Sequence, residues 1–202
     1  KTLNVSAQNA SSQGGNIGTA TATITITPVN DLPVSATVNG SGNEGGTITT
    51  TLTATDVDDS NSAGFNFIIV SDPPNITGSL SIGDVSYSSG TFTAVATYTH
   101  DGSEATSDSF TYKANDGTYN SNTATATITI TAVNDAPVAA AVSVTGNEGG
   151  TITTTLTATD VDDSNSAGFN FSIVSQPADM TGNVSIGSVS YSSGTFTVVA
   201  TY

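Results

Sequence analysis

The sequence repeats itself at a distance of 104 residues. The stretch NEGGTITTTLTATDVDDSNSAGFNF begins at Asn43 and again at Asn147, and ITIT-x-VND begins at Ile24 and again at Ile128. Comparing residues 43–98 with 147–202 gives 47 identities in 56 positions. Such a period is too long for a solenoid turn or a propeller blade, which run ~20–50 residues. It matches one small domain. Whatever one period folds into, its neighbours must be built to fold into as well.

Within a period the patterning is that of strands. TITTTLTAT (47–55) sets Thr47, Thr49, Thr51, Thr53 and Thr55 on one face and Ile48, Leu52 and Ala54 on the other. SFTYKA (109–114) and TATATITIT (123–131) alternate in the same way, with the β-branched and aromatic residues that suit a half-buried sheet. Gly45-Gly46, Pro73-Pro74, Ser89-Gly90, Asp101-Gly102 and Asp116-Gly117 punctuate the runs. The spacing predicts seven strands, at 34–39, 47–55, 66–71, 79–87, 91–98, 108–115 and 122–132, and no window has helical apolar spacing. The expected fold class is all-β, a tandem of seven-stranded Greek-key β-sandwiches. PVNDLPV and AVNDAPV mark the boundaries. Residues 1–29 then carry the last two strands of one domain, 30–133 a complete domain, and 134–202 the first five strands of the next.

Charge narrows the function. Seventeen acidic residues face Lys1, Lys113 and no arginine, for a formal net charge of -15. Nucleic acid is not an expected partner, because binding it needs clustered Lys and Arg. An anionic membrane surface is not an expected partner either, on the same ground. No apolar run reaches the length of a membrane span, and no signal-peptide pattern occurs. Cysteine is absent, which removes disulfides and thiolate metal sites.

The acids are clustered. Asp56, Asp58 and Asp59 recur as Asp160, Asp162 and Asp163, with nothing cationic nearby. An extended backbone would send Asp56 and Asp58 to one side. Carboxylates brought together repel unless a cation lies between them. An oxygen-only donor set disfavours zinc and copper and suits Ca2+, which takes about six to eight oxygens in flexible geometry. The competing reading is a solvated acidic loop with diffuse counterions.

NEGG, LTATDVDDSNSAG, FTYKANDG and ITITAVNDAPV, in that order, resemble a cadherin-type repeat. THDGSEATSDSFTYKANDG (99–117) is similar to the bacterial cadherin-like repeats related to chondroitin sulfate proteoglycan repeats. The resemblance implies calcium at the junctions between domains. It implies that Asn30 and Asp31 of the linker join Asp56, Asp58 and Asp116 at the first junction. At the second it implies Glu44, the linker residues Asn134 and Asp135, and Asp160 and Asp162, with Glu104 as a further acidic ligand. Asp59 and Asp163 fall outside the family pattern and are expected to face solvent. Asn9 stands where an Asp would be expected, which weakens the corresponding site upstream.

Other sites are weaker. Paired carboxylates of a glycosidase would flank a cleft, whereas these acids recur once per period. His100 is the only histidine and sits beside a turn, so no catalytic triad is available and no enzyme is expected. The threonine stripes suggest an ice-binding face, but twisted strands make poor flat arrays. Tyr87, Tyr119 and Tyr191 are too scattered for a sugar site, and the sequons at Asn4, Asn39, Asn75, Asn170 and Asn183 arise readily in a Ser/Thr-rich chain. The expected function is a calcium-rigidified stalk or fibre body of an extracellular surface protein or adhesin. Its partners are neighbouring repeats of the same protein. The alternative is a filament subunit joined head-to-tail to other copies by strand complementation.

Overall fold

The computed structural model describes residues 2–7 and 18–202. Among them every regular element is a strand, and no helix is present that could cross a membrane. Between Val34 and Thr131 nine strands form two facing sheets. These are β3 (Val34–Ser35), β4 (Val38–Asn43), β5 (Thr47–Thr55), β6 (Asn66–Ser71) and β7 (Ile76–Ile82). After them come β8 (Ser86–Ser88), β9 (Thr91–His100), β10 (Ser107–Asn115) and β11 (Ala124–Thr131). One sheet runs β3-β5-β9-β7, with β8 also on β9, and the other runs β4-β11-β10-β6. All pairings are antiparallel except β4 with β11, which is parallel from Val38↔Ala126 to Asn43↔Thr131.

The alternation read from the sequence is the alternation of burial. On β5, Ile48, Thr50, Leu52 and Ala54 point inward and the intervening threonines outward. They meet Phe92, Ala94, Ala96 and Tyr98 of β9 and, from the opposite sheet, Phe110, Tyr112, Ile128 and Ile130. Phe65 stacks on Phe92 with ring centroids 3.7 Å apart. Gly42 lets β4 lie against β5, since a Cβ there would come within 2.4 Å of Ile48 Cγ1.

Two of the seven expected strands divide. The first breaks at residues 36–37, so that β3 joins one sheet and β4 crosses to the other. Tyr112 holds this crossover: its hydroxyl donates to the Ala36 carbonyl and accepts the Thr53 N–H at 3.3 Å. The fourth divides around Gly83, leaving β7 and β8 both on β9. Chain alternation cannot reveal the first break, because it depends on which sheet the strand reaches.

Outside this unit the same sequence folds in part. β1 (Thr2–Ala7) and β2 (Gly18–Thr23) form an antiparallel hairpin with Thr2 opposite Thr23. β12 (Val138–Ala139), β13 (Thr153–Thr159), β14 (Ser185–Ile186), β15 (Ser190–Ser192) and β16 (Thr195–Thr201) rebuild the counterpart of the β3-β5-β9-β7 sheet. Residues 142–147 and 170–175, the counterparts of β4 and β6, lie outside strands. In the complete unit both pair with β10 or β11, and no described residue stands in that position here. A strand without a partner leaves its backbone groups to water.

Candidate metal centre

The acids gather at the two ends of the complete unit. At the first, β5 ends at Thr55 and the chain bends instead of continuing extended. Asp56 is buried, and its Oδ1 accepts the N–H groups of Asp58 and Asp59 at 2.8 and 3.2 Å. The expectation that Asp56 and Asp58 project alike from extended backbone is thus corrected. An aspartate just past a strand accepts the backbone N–H groups two and three residues on and closes a turn. The other oxygen of Asp56, Oδ2, is buried without a hydrogen-bond partner. Asp58 Oδ2 accepts the Asp31 N–H at 2.6 Å, and Asp116 Oδ2 accepts from the Asn30 amide at 2.8 Å. All five residues expected at this junction are therefore linked to a neighbour in the set.

Asp59 is half-buried and does not simply face solvent. Partial burial, then the charges of Asp56, Asp116 and Asp58, raise its carboxyl above the ordinary range. Asp116 shifts the other way. Burial works to raise it, but N–H groups of Tyr119 and Thr118 and the Asn30 amide outweigh that and hold it low.

The second junction repeats the linker geometry. Asp162 Oδ2 accepts the Asp135 N–H at 2.5 Å, Asp160 Oδ1 accepts from the N–H groups of Asp162 and Asp163, and the Asn134 amide donates to the Asp135 carbonyl at 2.7 Å. Glu44, Glu104 and Asp135 each bring a carboxylate oxygen to within 4.8 Å of the others. Glu44 is buried and the other two are exposed. Loss of solvent raises the Glu104 carboxyl, followed by the charges of Glu44 and Asp162, a hydrogen bond with Glu44, and the charge of Asp135. Glu104, added to the set by resemblance, thus lies among the other ligands expected there.

His100 gains a role the sequence did not suggest. It is fully buried at the end of β9, and its Nδ1 accepts the N–H groups of Gly102 at 3.2 Å and Gly45 at 3.4 Å. The ring thereby ties the turn beside Glu44 to the loop that carries Glu104. A lone histidine before an Asp-Gly turn was the only available signal. The carboxylates of this end have no Lys or Arg within ion-pair reach among the described residues, where the one close pair is His100 with Asp101 at 3.8 Å.

Residues 30–131 match a protein family described as bacterial Ig domain. The chain belongs to the bacterial Ig domain family. No curated protein matches this bacterial Ig-domain chain. Among solved structures it is similar to an endo-fucoidan hydrolase of glycoside hydrolase family 107, at 13% identity and a TM-score of 0.40, covering 99% of this chain and 29% of that one. The Yersinia pseudotuberculosis adhesin InvE matches at 18% identity and 0.35, covering 83% and 50%. The Escherichia coli adhesin FdeC matches at 13% and 0.37, covering 99% and 65%. The bacterial Ig-domain chain thus spans less than two thirds of each of these proteins.

Proposed function

We propose that this chain is a structural segment of an extracellular surface protein whose domain junctions are stiffened by calcium. The observation that carries the reading is the convergence of Glu44, Glu104 and Asp135 without a compensating cation among the described residues. The unpartnered, buried Oδ2 of Asp56 supports it at the other end. Both sites offer only oxygen donors, which fits a hard cation. When bound, calcium supplies positive charge shared by carboxylates of adjoining domains.

The chain's own residues do the rest. Asn30-Asp31 and Asn134-Asp135 fix the linkers through the contacts from Asp31 and Asp135 to Asp58 and Asp162. Asp56 and Asp160 shape the turns that follow the strand, and His100 holds Glu44 and Glu104 on adjacent loops. The units bounded at 29/30 and 133/134 are the pieces joined. Without a cation the crowded carboxylates repel and each short linker acts as a hinge. Sites of this class fill where calcium is near ~0.1–1 mM, which favours an extracellular setting. The reading is non-enzymatic, a stalk or fibre body in an adhesin-type protein.

Small-angle scattering of the 202-residue chain in calcium, magnesium and chelator tests this. A narrower, longer distance distribution in calcium alone is expected. Identical curves in all three would refute it.

A further inference from the structure

We propose that the first end of the complete unit holds a divalent cation of its own, with Asp59 as a ligand beside Asp56 and Asp116. This site rests on the calcium reading above for the class of ion and departs from it in the residues. Asp59 stands outside the family's ligand pattern. Glu44, Glu104 and Asp135 straddle the 133/134 boundary, whereas Asp56, Asp59 and Asp116 all belong to one unit.

Most carboxylate oxygens at this end already have protein donors. Asp58 Oδ2 accepts the Asp31 N–H at 2.6 Å, and Asp56 Oδ1 accepts those of Asp58 and Asp59. Asp116 Oδ1 accepts the N–H groups of Thr118 and Tyr119, both at 2.6 Å, and its Oδ2 the Asn30 amide at 2.8 Å. Two groups are left over. Asp56 Oδ2 is buried without a partner, on a residue only 8% exposed. The Asp59 carboxylate receives no hydrogen bond from any described residue.

The fold sets these groups side by side. Asp56 closes its turn on the Asp59 N–H at 3.2 Å, so both residues share one turn. A Cβ added to Gly117 would lie 3.7 Å from the Gly64 carbonyl oxygen, which seats the turn of Asp116 against the loop that follows Asp59. Burial, then the charges of Asp56, Asp116 and Asp58, raise the Asp59 carboxyl, as befits an acid among these three. A water could donate to Asp56 Oδ2 but would leave the charge uncompensated, and no Lys or Arg lies within ion-pair reach among the described residues. A hard divalent cation answers both needs. It would take oxygens from Asp56, Asp59 and the second lone pair of Asp116 Oδ2, with water completing its shell. Asp56 follows β5 in one sheet and Asp116 follows β10 in the other. The ion would therefore tie the two sheets of a single unit together, with no neighbouring unit engaged.

Equilibrium dialysis of the 202-residue chain against radioactive calcium at ~1 mM, read beside small-angle scattering, tests this. Asp59→Asn keeps the backbone N–H and the size of the side chain. It should bind one calcium fewer per chain than the parent, while its scattering change on adding calcium matches the parent's. Glu104→Gln should show the converse, a weakened scattering response with the Asp59-dependent ion retained. Asp84→Asn removes an exposed acid elsewhere on the unit, between β7 and β8, and should bind as the parent does. Unchanged stoichiometry in Asp59→Asn overturns the proposal and leaves the junction reading intact. An equal loss in Asp84→Asn also overturns it, since the ions would then be diffuse counterions. Loss of the scattering response in Asp59→Asn overturns it too, by placing the residue in the shared junction. A parent that binds no calcium overturns both readings.

Discussion

Replacing Asp56 by asparagine changes stability in opposite directions with and without calcium. The buried Oδ1 accepts two backbone N–H groups while the buried Oδ2 has no partner. Asparagine keeps the first acceptor and substitutes an uncharged amide for the second. In chelator the variant should be more stable by about 1 kcal/mol, because a buried unpaired anionic oxygen is removed. In calcium a ligand is lost. With a site of Kd ~0.1 mM and ~10 mM calcium, binding adds about 2.7 kcal/mol to the parent. For a domain of this size each kcal/mol moves Tm by roughly 4–8 °C. The parent should therefore melt ~11–22 °C higher in calcium than in chelator, and Asp56→Asn should show only a small part of that shift. Differential scanning calorimetry of the 202-residue chain in both buffers reads this directly. An asparagine variant with the parent's full calcium shift would refute the argument, as would equal destabilisation in both buffers.

Asp135→Ala should broaden the scattering distance distribution in calcium while leaving the denaturant midpoint of the core in chelator unchanged, because Asp135 is exposed. Without metal, the raised Glu104 carboxyl binds its proton more tightly in the folded state than unfolded. Its contribution is present below the ordinary value of 4.5 and is lost as pH rises through the raised value, so chelator melts should show a stabilising step toward acid that Glu104→Gln abolishes. Asp59 acts in the same direction and the lowered Asp116 opposes it, losing its contribution as pH falls. Tyr112→Phe removes the hydroxyl that holds the β3–β4 crossover and should cost about 1–2 kcal/mol in urea unfolding, with an unchanged m-value.

The limits of the sequence are visible in pairs of identical residues. Phe65 stacks on Phe92, and Phe169 stacks on Phe196 at the same 3.7 Å separation. That contact depends on residues both copies possess. Asn66–Ser71 is a strand, yet 170–175, differing at one position (Ile68 against Ser172), is not. Alternation reports which face a residue prefers, whereas a strand also needs a partner, and the partner lies some forty residues away in the chain. The site divides similarly. The types and spacing of Asp56 and Asp58 were legible, because carboxylates without cations pose a charge problem in any fold, whereas Glu44 and Asp135 were reached only through the cadherin-type resemblance. The bend after Thr55, the half-burial of Asp59 and the placement of His100 between two loops were not, since each is set by contacts distant in sequence.

The parallel pairing of β4 with β11 bears on how the unit carries tension. The chain enters β4 at Val38 and leaves β11 at Thr131, so opposite ends of two parallel strands lead to the flanking segments. A pull applied through the linkers first meets β3, only two residues long. It then drags β4 and β11 past each other along their length. The six residue pairs of that ladder are loaded together in shear rather than peeled one after another. In single-molecule extension the unit should yield abruptly, in one sharp rupture. A proline at Thr127, whose removal of an N–H would divide the ladder, should lower that rupture force; an unchanged force would place the mechanical barrier elsewhere.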